Sequence, residues 1–131
     1  MSKIVILESL AVSDEKMRAL KAPFEAQGHV FEEYARSADT QTLIRQAQDA
    51  DALIIANMPL RGEVIRACGK LKYIDVAFTG VDHVDLAAAR EMGVKVSNAS
   101  GYSNEAVAEL ALGMALSLSR NLTAVEERCR Q

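Results

Sequence analysis

The 131-residue sequence has no tryptophan, two prolines, two cysteines and two histidines. Cys68 and Cys129 lie far apart, and neither they nor His29 and His83 have partners at metal-ligand spacing, so a disulfide framework and a structural zinc site are both unexpected. Basic residues form no run. Fifteen Lys and Arg stand against eighteen Asp and Glu, for a net charge of −3, which argues against a nucleic-acid surface or an anchor to anionic membrane. No apolar run approaches the length of a membrane span. The opening MSKIVILESL has a short apolar stretch without a small-residue cleavage site, and reads as a buried first strand rather than a signal peptide. A cytoplasmic chain with reduced thiols is the expectation. Neither GxGxxG nor GxxxxGK[ST] occurs, so no dinucleotide or P-loop phosphate cradle is written in these residues.

What is present is an ordinary globular mixture, half apolar and a quarter charged, of a length that suits one compact domain. Short β-branched runs alternate with helical patterns. Lys3 to Leu7, Ala52 to Ala56, Tyr73 to Ala77 and Val94 to Ser97 read as buried strands, and His29 to Tyr34 as an outer one. Between them, Ser13 can cap a helix carrying Met17, Leu20 and Phe24, which Pro23 should kink or split. Asp39 or Thr40 opens a second helix with Leu43, Ile44 and Ala47. A third carries Val64, Ile65 and Cys68, and Leu86 to Met92 forms a fourth, Ala-rich one. Five strands joined by helices predict an α/β fold: a flavodoxin-like parallel sheet in the order 2-1-3-4-5, with helices on both faces.

From Ser103 to about Arg130 the rhythm changes. Only Gly113 interrupts a helical pattern that Ser103 or Asn104 would cap, and one continuous helix there would be roughly 40 Å long. Its apolar stripe, Val107, Leu110, Ala111, Met114, Ala115 and Leu118, exceeds what one small sheet can cover, so another domain or subunit should pack on it.

Ligands of open α/β sheets bind beyond the carboxyl ends of the strands. Among the turns there, Phe78-Thr79-Gly80-Val81 is the most suggestive, because a hydroxyl beside a glycine and free peptide N–H groups can receive a carboxylate or phosphate oxygen. Gly80 also suits a tight strand exit with no ligand at all. His83, flanked by Asp82 and Asp85, has no nucleophile or metal partner at readable spacing and reads as a surface or hydrogen-bonding group. Glu105 and Glu109, one helical turn apart, are explained by the helix dipole and solvation. Cys68 reads as core, Cys129 as an exposed thiol between two arginines.

Four ordered segments carry a family likeness: Thr79 to Asp85 (TGVDHVD), Gly93 to Asn98 (GVKVSN), Glu105 to Glu109 (EAVAE) and Arg120-Asn121-Leu122. Together they resemble the D-isomer-specific 2-hydroxyacid dehydrogenases, and the rest of the chain fits the same family less specifically. The resemblance implies that residues 1–101 are a substrate domain and that 102–131 begin a helix crossing into a Rossmann nucleotide domain beyond this sequence. The family's catalytic Arg, Glu and His would lie there too, so no catalytic residue is assigned here, and no metal. By the same resemblance Gly80 and Val81 hold the substrate carboxylate, Asn57-Met58 closes on the substrate, Ser103 lies near it, and Thr79 faces the nicotinamide. Asn98 to Gly101 resembles the interdomain hinge. The implied ligands are a small 2-hydroxy or 2-oxo acid and, in the full-length enzyme, NAD or NADP. The isolated chain should turn nothing over. Where family members that act on phosphorylated substrates often carry Arg, this chain has Ala56, which argues against a phosphorylated substrate. A homodimer through the 103–130 helix is expected. The alternative is a non-catalytic flavodoxin-like binding or assembly module that oligomerises through the same helix. A flavin-binding reading is weaker, since only Phe78 and Tyr102 could stack on the ring.

Overall fold

The structure is a computed structural model and describes residues 1–130. Five strands, β1 (Lys3–Ile6), β2 (Val30–Glu33), β3 (Ala52–Ile55), β4 (Tyr73–Val76) and β5 (Lys95–Asn98), form an all-parallel sheet ordered β2-β1-β3-β4-β5, as the alternation of patterns predicts. The connecting helices are α1 (Asp14–Glu25), α2 (Thr40–Ala47), α3 (Gly62–Ala67) and α4 (Leu86–Glu91). Three of them start on a side-chain cap. Ser13 Oγ accepts the Lys16 N–H at 3.3 Å, Asp39 Oδ2 that of Thr42 at 2.8 Å, and Asp85 Oδ1 that of Ala88 at 2.9 Å. Pro23 neither ends nor divides α1, which runs on to Glu25. It sits so close to the carboxyl end that little of the helix remains to be broken.

Alternation along the strands sends Val5, Leu53, Ile55, Ile74 and Val76 to one face, all fully buried, where Leu43 and Ala47 of α2, Val64 and Ile65 of α3, and Ala88 and Ala89 of α4 meet them. The opposite face presents Ile4, Ile6, Ala52, Ile54, Tyr73 and Asp75, and of α1–α4 only α1 lies over it. No residue of α1 is buried; Phe24 meets the Phe31 ring of β2 edge-on at 6.2 Å, and a cavity of about 520 Å³ lies between α1 and the inner strands.

At the carboxyl ends the loops are stitched to one another. Leu60 N–H donates to the His83 carbonyl at 2.8 Å and Asp85 N–H to the Leu60 carbonyl at 3.1 Å, an isolated bridge beyond β3 and β4. Gly62 is buried where α3 touches α4. A Cβ there would press on Asp85 Oδ2 and come within 3.1 Å of the Ala88 Cβ, so the close approach of the two helices requires glycine.

The chain divides into two compact units, Met1–Ser100 and the residues from Gly101 onward. The second holds two helices, not the single one expected: α5 (Asn104–Arg120) and α6 (Leu122–Arg130), parted by Asn121 in the left-handed conformation (φ 49°, ψ 46°). Asparagine is among the few residues that tolerate this geometry, and its N–H closes α5 onto the carbonyls of Leu118 and Ser117. At 17 residues α5 is about 25 Å long, well short of the length expected for a continuous helix. Ser103 does sit at the N-cap position of α5, but its side chain makes no capping hydrogen bond. The apolar stripe is exposed, with Val107 at 59 %, Leu110 at 62 %, Met114 at 53 % and Leu118 at 83 %. Among the described residues no helix is long and apolar enough to cross a membrane.

Candidate functional site

Beyond β4 the ladder ends with the Ala77 N–H donating to the Ile55 carbonyl at 2.7 Å. The next residues are shaped from the β5 side. Asn98 Nδ2 donates to the Thr79 carbonyl at 2.6 Å, and the Ala99 N–H is shared by the carbonyls of Val76 and Phe78, both at 3.1 Å. On the far side the Val84 N–H takes the Val81 carbonyl at 3.0 Å. The carbonyls of Phe78, Thr79 and Val81 are thus committed, whereas the N–H groups of Thr79, Gly80 and Val81 donate to no acceptor among the described residues. Consecutive free N–H groups at the carboxyl end of a central strand form an anion-receiving edge. Nothing in the chain's own packing demands a glycine at 80: a Cβ would have only Asp82 Oδ2 within 4 Å, at 3.6 Å. The missing side chain keeps the peptide edge open.

The turn after β3 is held differently. Glu8, two residues past β1, is the only buried charged residue among those described, its side chain 5 % exposed. Its Oε1 accepts the N–H of Ala56 at 2.7 Å and of Met58 at 2.8 Å, and its Oε2 lies 3.5 Å from Arg36 Nη1. That same Nη1 donates to Asn57 Oδ1 at 2.8 Å. A carboxylate taken from water must be repaid in hydrogen bonds, and here the repayment fixes the backbone of residues 56–58. Asn57 is exposed at the rim. Met58 is not: its side chain is fully buried in the core and its N–H is held by Glu8, so neither can reach a ligand in this turn.

Of the residues singled out from the sequence, Asn57, Thr79, Gly80 and Val81 lie at the carboxyl edge of one sheet, and Ser103 lies in the second unit at the head of α5. His83 gives its carbonyl to the β3–β4 stitching, and its Nε2 is buried without a partner among the described residues. Glu105 and Glu109 are exposed on α5. Burial pushes the Cys68 thiol up to about 11, as suits a core residue and not a nucleophile. No group of three His, Cys, Asp or Glu that could hold a metal occurs among the described residues. The sequence places Glu8-Ser9 among the strand-end turns but gives Glu8 no role, and it does not point to Arg36 at all. An acidic residue directly after a buried strand was the available signal for the first; the second follows an edge strand and gives none.

The residues present do not fit a dinucleotide phosphate. The β1–α1 turn, where such a group would seat, carries the Glu8 carboxylate and no glycine, and Asp14 and Glu15 open α1 behind it.

Residues 4–130 match the family model for the catalytic domain of D-isomer specific 2-hydroxyacid dehydrogenases. A protein of Haemophilus influenzae assigned to the 2-hydroxyacid dehydrogenases is 36 % identical over 120 residues, covering 92 % of this chain and 36 % of its own length. The glycerate dehydrogenase of Methylorubrum extorquens is 30 % identical over 118 residues, 90 % of this chain and 36 % of that protein. Among solved structures, the NAD-dependent formate dehydrogenase of Staphylococcus aureus in complex with NAD superimposes with a TM-score of 0.76 at 33 % identity, over 95 % of this chain and 40 % of that one. The chain therefore spans little more than a third of these relatives. With a match that runs from β1 to the end of α6, it belongs to the D-isomer specific 2-hydroxyacid dehydrogenase family and corresponds to that family's catalytic domain.

Proposed function

We propose that this chain is the substrate-holding part of an NAD(P)-dependent oxidoreductase that interconverts D-2-hydroxy acids and 2-oxo acids. The observation that carries the reading is the row of uncommitted N–H groups at Thr79, Gly80 and Val81, on a turn whose Phe78, Thr79 and Val81 carbonyls are taken. There the substrate carboxylate docks against peptide dipoles that need no reorganisation. Asn57 borders it from the β3 turn, with Met58 contributing only the buried anchor of that turn. Thr79 faces the nicotinamide. The cofactor, NAD or NADP, supplies hydride at the carbonyl carbon when bound. This chain's own work is to bind and orient the acid. The groups that donate the proton and stabilise the oxygen charge belong to a further lobe, and the 131 residues alone turn over nothing.

The exposed stripe on α5 favours burial against a second copy, giving a homodimer through residues 103–130. The same stripe supports a second reading, a non-catalytic module that assembles through this helix.

Titration of the labelled chain with 2-oxobutyrate tests the first reading. The amide signals of residues 79–81 should move, and Gly80→Val, whose Cβ would meet only Asp82 Oδ2 within 4 Å, should weaken binding at least about tenfold with the melting temperature preserved. Binding that leaves those amides unmoved, or equal affinity in the variant, counts against the site. NADH consumption with pyruvate or hydroxypyruvate by the purified chain would remove the claim that turnover needs a second lobe.

A further inference from the structure

In a trans peptide the carbonyl of one residue and the N–H of the next lie in one plane and point in opposite directions. The described residues contain no cis peptide, so whatever fixes a carbonyl in the 78–81 turn also aims the N–H that follows it. The Phe78 carbonyl accepts the Ala99 N–H at 3.1 Å, and its plane carries the Thr79 N–H. The Thr79 carbonyl accepts Asn98 Nδ2 at 2.6 Å, and its plane carries the Gly80 N–H. Both holds come from the end of β5, so both N–H groups point away from that strand. The third plane, between Gly80 and Val81, has no hold of its own among the described residues. It is bracketed instead, because the Val81 carbonyl beyond it accepts the Val84 N–H at 3.0 Å.

The two holds from β5 differ in kind. Ala99 acts through its backbone N–H, which it shares with the Val76 carbonyl as the ladder runs out. Asn98 acts through its side chain, and among the described residues no other side chain hydrogen-bonds to residues 78–81. Asn98 and Val76 are the last matched pair of β4 and β5, so the amide spans from the sheet to a chain that has just left it. A carbonyl only accepts, so the group facing it must donate, which an ionised aspartate in the same place could not do. The hold is needed because the next residue is Gly80. With no Cβ, glycine leaves the plane before it free to turn, and no packing limits it there.

We propose that Asn98 is a positioning residue for the substrate carboxylate: by holding the Thr79 carbonyl it aims the Gly80 N–H outward, ready for the acid. This rests on the proposed carboxylate site at residues 79–81. Asn98 acts through the turn and not on the acid itself. A glycine keeps the peptide edge open, and a side chain from the neighbouring strand supplies the orientation that the glycine gives up.

The labelled chain tests this with and without ligand. Without ligand, Asn98→Ala should shift the Gly80 amide nitrogen, which shares a peptide with the Thr79 carbonyl. With 2-oxobutyrate, the same variant should bind about tenfold more weakly than the wild type. The Gly80 amide should lose more of its response to ligand than Thr79 or Val81. Asn98→Gln keeps a donor at an exposed position and should recover part of the affinity. Asn98→Ser, too short to reach the carbonyl, should match the alanine variant and decides in its place if that variant does not fold. Ile54→Ala loosens the sheet from its open face without touching the turn, and should keep wild-type affinity at a lowered melting temperature. Wild-type affinity in Asn98→Ala, or equal weakening in Ile54→Ala, overturns the positioning role while leaving the carboxylate site standing. An unmoved Gly80 nitrogen in the ligand-free alanine variant overturns it as well. Were 2-oxobutyrate to leave residues 79–81 of the wild type unmoved while the ligand-free shift at Gly80 appeared, the failure would lie with the carboxylate site, and the role of Asn98 toward substrate would fall with it.

Discussion

The two faces of the sheet are built from the same strands and are finished to different degrees. On the face under α2, α3 and α4, alternate residues of the three central strands reach zero exposure and pack into a single cluster. On the other, their neighbours in sequence meet one helix that buries none of its own residues and stands off across a cavity. Both faces carry the apolar character of a sheet meant to be covered twice. The difference lies in what covers them. The open face also holds the sheet's polar chain, in which Tyr73 Oη donates to Ser97 Oγ at 2.6 Å and Ser97 Oγ to Asp75 Oδ1 at 2.9 Å. Cooperative stability therefore resides mainly on the closed face, while the turns beyond β3 and β4 are held from the strand ends.

The sharpest way to break this contrast is a pair of substitutions at adjacent residues of β3. Leu53 points into the closed face with no exposed surface; Ile54 points the other way and is half-buried. Leu53→Ala should cost about 3–5 kcal/mol, through lost burial plus a cavity its neighbours cannot fill. Ile54→Ala should cost about 1 kcal/mol, since that side chain borders space already empty. Urea unfolding of the two variants measures both. Equal losses would mean that the two faces bear equal load.

Next in size is Glu8, which ties the closed face to the site. Glu8→Ala strands the buried N–H groups of Ala56 and Met58 and should destabilise by about 2–3 kcal/mol. Glu8→Gln keeps a carbonyl for those donors and should recover more than half of that loss. If the two variants were equally damaging, the charge facing Arg36 would matter more than the backbone hydrogen bonds.

The fold was largely legible in the sequence because strand periodicity, caps and glycine stops all pointed one way. Ser13 and Asp39 cap as their residue types suggest, and the sheet order follows from the alternation of strands and helices. The break at Asn121 was not legible, because its neighbours on both sides are good helix formers and one αL residue leaves no trace in periodicity. At the site, the turn at Thr79-Gly80 could be read from residue type and position. The burial of Met58 could not, since a methionine in a strand-exit turn looks exposed until the pull of Glu8 on its N–H turns its side chain inward. Arg36 was invisible for a related reason: its role comes from reaching over β1, a contact between residues 21 positions apart.

Within the closed face, the contact of α3 with α4 is tight enough to probe with one methyl group. Gly62→Ala would push that methyl against Asp85 Oδ2, and this carboxylate cannot simply swing aside, because its Oδ1 caps α4. A loss of about 1–2 kcal/mol is expected, partly offset by alanine's better helix propensity. A thermal melt reads it. A gain in stability would mean that the two helices have room to part.

The smallest effect belongs to the amino edge of the sheet, which both faces share. Asp51 accepts the Lys3 N–H at 2.9 Å and the Lys72 Nζ at 3.0 Å, and these contacts, the backbone one foremost, hold its carboxyl below the ordinary aspartate range. A carboxylate with a lowered folded pKa stabilises fully above its unfolded pKa, and that contribution drains away as pH falls through the folded value. Asp51→Asn should therefore lower the urea midpoint modestly at pH 7, and the gap between wild type and variant should begin to narrow only as pH drops below ~3.9, closing once pH has passed below the lowered folded value. Because Asp51 packs on neither face, the same convergence should recur in the Leu53→Ala background, with the two losses adding. A gap that stayed constant across that pH range would show that the asparagine acts through shape and not through charge.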